Sequence, residues 1–153
     1  MLAVGLLAGC SAGRLRWGLP ASFVIALIVG AALGASGVNV PLVEAGIALS
    51  LVAFGAALVS RQTLRTPMLV AMTAGFALFH GHAHGTEMGA ELSAVSYGVG
   101  FILATALLHA FGVLLTTRML LPVPQPTLLR WGGGAIAGVG VVSLGLLLQI
   151  PGL

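Results

Sequence analysis

Only nine side chains in this 153-residue sequence carry a formal charge: Arg14, Arg16, Arg61, Arg65, Arg118, Arg130, Glu44, Glu87 and Glu91. Charged residues make up 6% of the chain, against about 25% in an ordinary soluble domain. A protein of this size clothed so thinly would present large apolar patches to water. Hydrophobic types supply 59% of the residues and the mean hydropathy is +1.15, so the surrounding medium is lipid. The same figures exclude disorder, which needs low hydrophobicity and high charge. The sequence pI of about 10.6 suggests no nucleic-acid partner, because the arginines are scattered and form no basic patch. A single cysteine, Cys10, excludes an internal disulfide framework.

Polar residues cut the chain into apolar runs at about 1–10, 20–36, 41–59, 67–84, 93–117 and 128–148. The runs are continuous rather than alternating, which predicts membrane-spanning helices and not barrel strands. The expected fold is all-α: one transmembrane helical bundle over 1–153, with five full spans and an N-terminal half-span. Pro20, Pro41 and Pro67 stand where helices are expected to begin, a position that tolerates proline. Pro122, Pro124 and Pro126 break the chain before the last run. Gly30 with Gly34, and Gly134 with Gly138, have the four-residue spacing of close helix contacts in lipid. The alternative is simple abundance, since the chain has 23 glycines.

The arginines fix an orientation. Arg14 and Arg16, Arg61 and Arg65, and Arg118 and Arg130 fall in alternate breaks, while the breaks 37–40 and 86–92 hold none. Positive loops stay cytoplasmic, so the C-terminus is expected outside. The same rule places Met1 outside, yet ten helical residues rise only about 15 Å and a hydrocarbon core is about 30 Å thick. The first run therefore reads as the second half of a spanning helix, or as a short re-entrant or interfacial segment. No basic stretch precedes an apolar core, so no signal peptide is read.

Chemistry-bearing side chains gather in Phe79-His80-Gly81-His82-Ala83-His84-Gly85-Thr86-Glu87. On a continuous helix His80, His84 and Glu87 share one face, while His82 points elsewhere. Neutral imidazole suits nickel, copper, zinc or cobalt, and a carboxylate either binds directly or orients a histidine. The alternative is a polar surface loop that binds metal adventitiously. Against it, the tract lies about 20–25 Å along a helix that begins inside, where imidazoles are costly and usually functional. Glu44 stands four residues into a helix that begins outside. It either faces the same polar cavity or snorkels to the headgroups. Glu91 reads as a solvated loop charge. His109, about 24 Å along an inward-running helix, is either a hydrogen-bonded bundle residue or an inner relay ligand, with Thr105 and Thr116 as candidate partners.

The block Phe79 to Glu87 resembles the second signature of the HupE/UreJ family of bacterial metal permeases, implicated in nickel delivery to hydrogenase and urease. Val43 to Ser50, Tyr97-Gly98 and Thr105 to His109 are similar too, so the resemblance runs along nearly the whole chain. It implies a six-span bacterial inner-membrane protein that starts outside after a cleaved signal peptide. The family's first helix carries His-Pro and then Gly-x-Asp-His, leading into Met-x-x-Val-Gly. Met1, Val4 and Gly5 resemble the tail of that motif. The sequence is accordingly read as beginning at an internal methionine, through a misassigned start or a truncated form.

The expected function is a permease, not an enzyme, for a divalent transition metal. Nickel comes first, with cobalt, zinc or copper as alternatives, and no tightly bound cofactor is expected. His80, His82, His84, Glu87 and Glu44 would capture the ion outside and His109 would receive it further in. Expected partners are the ion, the bilayer, a second copy of the chain or a cytoplasmic metallochaperone. No nucleotide-binding Gly-x-x-x-x-Gly-Lys run exists. Two other classes compete. One is a metal sensor or accessory module without transport. The other is a rhomboid-like serine protease, from Gly34-Ala35-Ser36-Gly37 and His109 to Gly112, which requires Ser36 and His109 within hydrogen-bond reach.

Overall fold

The computed structural model describes residues 1–60, 65–88, 94–120 and 127–149. Arg61, Glu91, Pro122, Pro124 and Pro126 lie outside the described residues. Within them the regular structure is helical: α1 (Leu2–Cys10), α2 (Leu15–Ala35), α3 (Val43–Ser60), α4 (Thr66–Thr86), α5 (Ala94–Leu115) and α6 (Thr127–Leu147). A π-helical turn, Thr116–Leu120, extends α5. This is the expected all-α bundle. Leu15–Ala35, Val43–Ser60, Val95–Met119 and Thr127–Leu147 are each long and apolar enough to cross a bilayer. Helix α4 matches them at 21 residues, but its three imidazoles lower its mean hydropathy.

One expected boundary moves. Helix α2 begins at Leu15 and carries Pro20 in its interior. Gly13, at φ +56°, makes the reversal after α1, and the Arg16 side chain reaches back to the Ser11 carbonyl through Nε at 3.3 Å. Pro20, in the second turn, lacks the N–H that would have bonded to the Arg16 carbonyl. The far end of α2 closes in a Schellman motif. The Val38 N–H donates to the Leu33 carbonyl at 3.1 Å and the Gly37 N–H to Gly34 at 3.0 Å. Gly37 takes the left-handed φ of +78° that this cap requires.

Helix directions follow from which backbones meet. Gly30 and Gly34 of α2 abut Leu78 and His82 of α4, and Gly81 and Gly85 of α4 abut Leu27 and Ala31 of α2, so the two helices run parallel. Helix α1 runs parallel to α5, with Gly5 against His109 and Gly9 against Thr116. Helices α3 and α6 are antiparallel, Gly55 meeting Gly133 while Ala48 meets Gly140. Helices α2, α4 and α6 thus run one way and α1, α3 and α5 the other. Arg14, Arg16, Arg65, Arg118 and Arg130 all fall at one end. The side chains of α1 are buried from Ala3 to Ala8, which sets it inside the bundle rather than along a membrane surface.

The two glycine pairs singled out in the sequence differ. Gly30 and Gly34 line the α2–α4 seam, whereas a Cβ at Gly134 or Gly138 would meet nothing within 4 Å. Contact of α6 with α3 uses Gly133 and Gly140 instead. A Cβ at Gly81 would collide with the Leu27 carbonyl, a rigid backbone group. Gly81→Ala is therefore expected to cost about 1–3 kcal/mol through overpacking. Gly134→Ala should shift stability by less than about 0.5 kcal/mol. Thermal unfolding of the two variants in detergent checks the contrast.

Candidate functional site

The α2–α4 seam brings Phe23 of α2 beside His80 of α4, with ring centroids 5.9 Å apart. The same Phe23 ring is met by His109 of α5, at 4.9 Å in an edge-on arrangement. Two histidines from different helices therefore share one aromatic neighbour. His80 Nδ1 lies 3.0 Å from the Phe76 carbonyl. A ring nitrogen facing a carbonyl must carry the proton, so Nε2 of the neutral ring keeps its lone pair.

His109 is 2% exposed, and neither ring nitrogen has a hydrogen-bond partner among the described residues. Its two candidate partners bond elsewhere. Thr105 Oγ1 lies 3.1 Å from Met1 Sδ, and Thr116 Oγ1 donates to the Leu6 carbonyl at 3.3 Å. An unpaired buried polar group costs about 1–3 kcal/mol, and among the described residues none supplies the partner that a hydrogen-bonded bundle histidine would have.

The tract itself divides by helical phase. His84 is half-buried, its Nδ1 3.1 Å from the Tyr97 hydroxyl and its ring 4.0 Å from Phe101. Glu87 Oε2 lies 3.8 Å from the same nitrogen, but the Glu87 side chain is 70% exposed and the pair is weak. His82 turns away from this face. Its Nε2 lies 2.7 Å from the Val38 carbonyl and so donates to it, while Nδ1 is buried with no partner among the described residues. The Schellman cap of α2 places Val38 there. Glu44, in the first turn of α3, is exposed and forms no ion pair among the described residues. Its helix meets α4 nearby, where Gly46 packs on the Phe79 ring.

The structure thus pairs His84 with Glu87, links His80 to His109 through Phe23, and turns His82 to Val38 instead. No three histidine, cysteine or carboxylate side chains form a ready coordination shell among the described residues. Phe23 and Tyr97 were not foreseen. Phe23 is one apolar residue in an apolar run and gives no signal, but Tyr97 is the chain's single tyrosine. The protease arrangement finds no support. Ser36 follows the last residue of α2, about 20 Å along the helix from Phe23, while His109 packs on Phe23, and the Ser36 hydroxyl donates to Leu33.

The profile of the HupE / UreJ protein family matches residues 1–143. The chain belongs to the HupE/UreJ family. Protein HupE of Rhizobium leguminosarum bv. viciae is 35% identical over 144 residues, spanning 94% of this chain and 75% of that protein. No solved structure matches. Within this HupE/UreJ member, His82 fastens the α2–α3 connection. His82→Ala should lose about 1–3 kcal/mol of stability, measured by thermal unfolding in detergent, and by the same amount with or without added nickel.

Proposed function

We propose that this multi-pass membrane protein is a permease for a divalent transition metal, nickel first, with cobalt, zinc and copper as alternative cargoes. It serves hydrogenase or urease maturation from the bacterial inner membrane. The positive-inside rule makes the arginine-bearing end cytoplasmic and the C-terminus external. The observation that carries the reading is His109: a buried imidazole with neither nitrogen partnered among the described residues, one aromatic ring away from His80, whose Nε2 keeps its lone pair.

The outer carboxylates Glu44 and Glu87 attract the hydrated ion and His84 exchanges one of its waters for an imidazole nitrogen. His80 takes it through Nε2, and His109 receives it past the edge of Phe23. His82 shapes this route by holding Val38. Dispersed ligands suit passage. Conduction needs sites strong enough to admit an ion and weak and numerous enough to release it, whereas a sensor needs a closed shell of several ligands.

Nickel uptake by cells expressing the protein tests the proposal. His109→Ala, and His80→Ala combined with His84→Ala, should each lower initial uptake by at least about tenfold, the equivalent of roughly 1.4 kcal/mol, at unchanged abundance in the membrane. Glu44→Gln and Glu87→Gln should mainly raise the half-saturating concentration. Uptake unaltered in the histidine variants would overturn the route through these imidazoles. Nickel binding without flux in vesicles would replace it with a sensor or accessory role.

A further inference from the structure

Helix α4 bears Thr66, Thr73, His80 and Glu87 at seven-residue intervals, with His84 between the last two. Seven residues are two helical turns to within about 20°, so these polar side chains form one stripe along an otherwise apolar helix. From Thr73 to Glu87 the stripe covers about 21 Å. Phe76 and the small Ala77 stand one turn from Thr73 on the way to His80. The outer half of the stripe belongs to the proposed ion path. Thr73 does not yet have a role.

Thr73 is 1% exposed and its hydroxyl has no partner among the described residues. Hydroxyls in apolar helices ordinarily donate to a carbonyl three or four residues back. Ser22 does so to Leu19 at 2.9 Å, Ser50 to Ile47 at 2.6 Å, Thr86 to Ala83 at 2.8 Å and Thr117 to Val113 at 2.8 Å. Thr73 departs from that pattern although its side chain is fully buried. It sits about 10 Å nearer the arginine-bearing end than His80. A neutral hydroxyl is a poor direct ligand for nickel, which prefers imidazole nitrogen. It is a good acceptor for the polarised O–H of a cation-bound water.

We infer that Thr73 is a further pathway residue, accepting a hydrogen bond from a water on the divalent cation as the ion leaves His80 and His109 and regains its hydration shell. This rests on the permease reading and extends the route beyond the imidazoles. The step is a ligand exchange in which water replaces imidazole nitrogen on the ion, with no bond made to the protein. Thr73→Val keeps the shape and deletes the hydroxyl, while Thr73→Ser keeps the hydroxyl.

The test is nickel flux into proteoliposomes carrying the purified protein, with thermal unfolding of the same preparations. Thr73→Val should lower the maximal rate by about fivefold or more and leave the half-saturating concentration within about twofold, the pattern of a residue acting after capture. Its melting temperature should be unchanged or raised, since an unsatisfied hydroxyl becomes a methyl. Thr73→Ser should keep at least about half of the rate. A merely structural threonine would lower stability and rate together in the valine variant, and that result overturns the inference. So does a wild-type rate in Thr73→Val when His109→Ala abolishes flux. Normal flux in both Thr73→Val and His109→Ala instead removes the histidine route on which the inference rests, and absence of flux in the unaltered protein removes the permease reading beneath it.

Discussion

The contact on which the rest depends is the bare backbone seam between α2 and α4. Gly30, Gly34, Gly81 and Gly85 let the two helices touch without side chains between them. In lipid no hydrophobic force drives helices together, so close van der Waals packing has to do so. Their parallel contact sets two alignments at once. Phe23 is brought level with His80, and the capped end of α2 is brought level with His82. A single added methyl at the seam would move both, which couples packing directly to the geometry of the site.

Low polarity then sorts the histidines into different roles. His82 is satisfied on one nitrogen by Val38 and acts as a fastener. His80 is satisfied on one nitrogen within its own helix, and that bond selects the tautomer with Nε2 unprotonated. His84 is held by Tyr97 at the polar end of the bundle. His109 has no such support and stands buried against Phe23. Their identity is the same; what differs is which donor or acceptor the surrounding helices supply.

Much of this was legible in the residues. Nine charges in an apolar chain dictated lipid, helices and their alternating directions. Helical phase separated His82 from His80 and His84 correctly. Proline did not mark the start of α2: Pro20 lies in its second turn, where the missing N–H removes a single bond from the ladder. Spacing chose Gly30 and Gly34 correctly but failed for Gly134 and Gly138. Helix α6 has glycines on several faces, and which face meets α3 depends on the partner's shape rather than on spacing. The link between His80 and His109 was hidden for a related reason. It runs through Phe23, whose importance comes from three helices converging and not from its own sequence. The bond from His82 to Val38 spans the whole intervening helix α3 and has no local signature.

The order in which the helices pair also bears on how the protein is made. Helix α2 packs on α4 and α3 on α6, so neighbours in sequence are not the principal partners. At synthesis rates of about 5–20 residues per second, α3 waits roughly 4–17 seconds after leaving the ribosome for α6 to follow. During that interval Gly55 and Leu58 face lipid or the insertion machinery, and α2 stands with its glycine seam uncovered until α4 arrives. The bundle therefore closes only when its last helix is in place, and a chain halted before α6 leaves the bilayer holding an incomplete assembly with an open flank on α3.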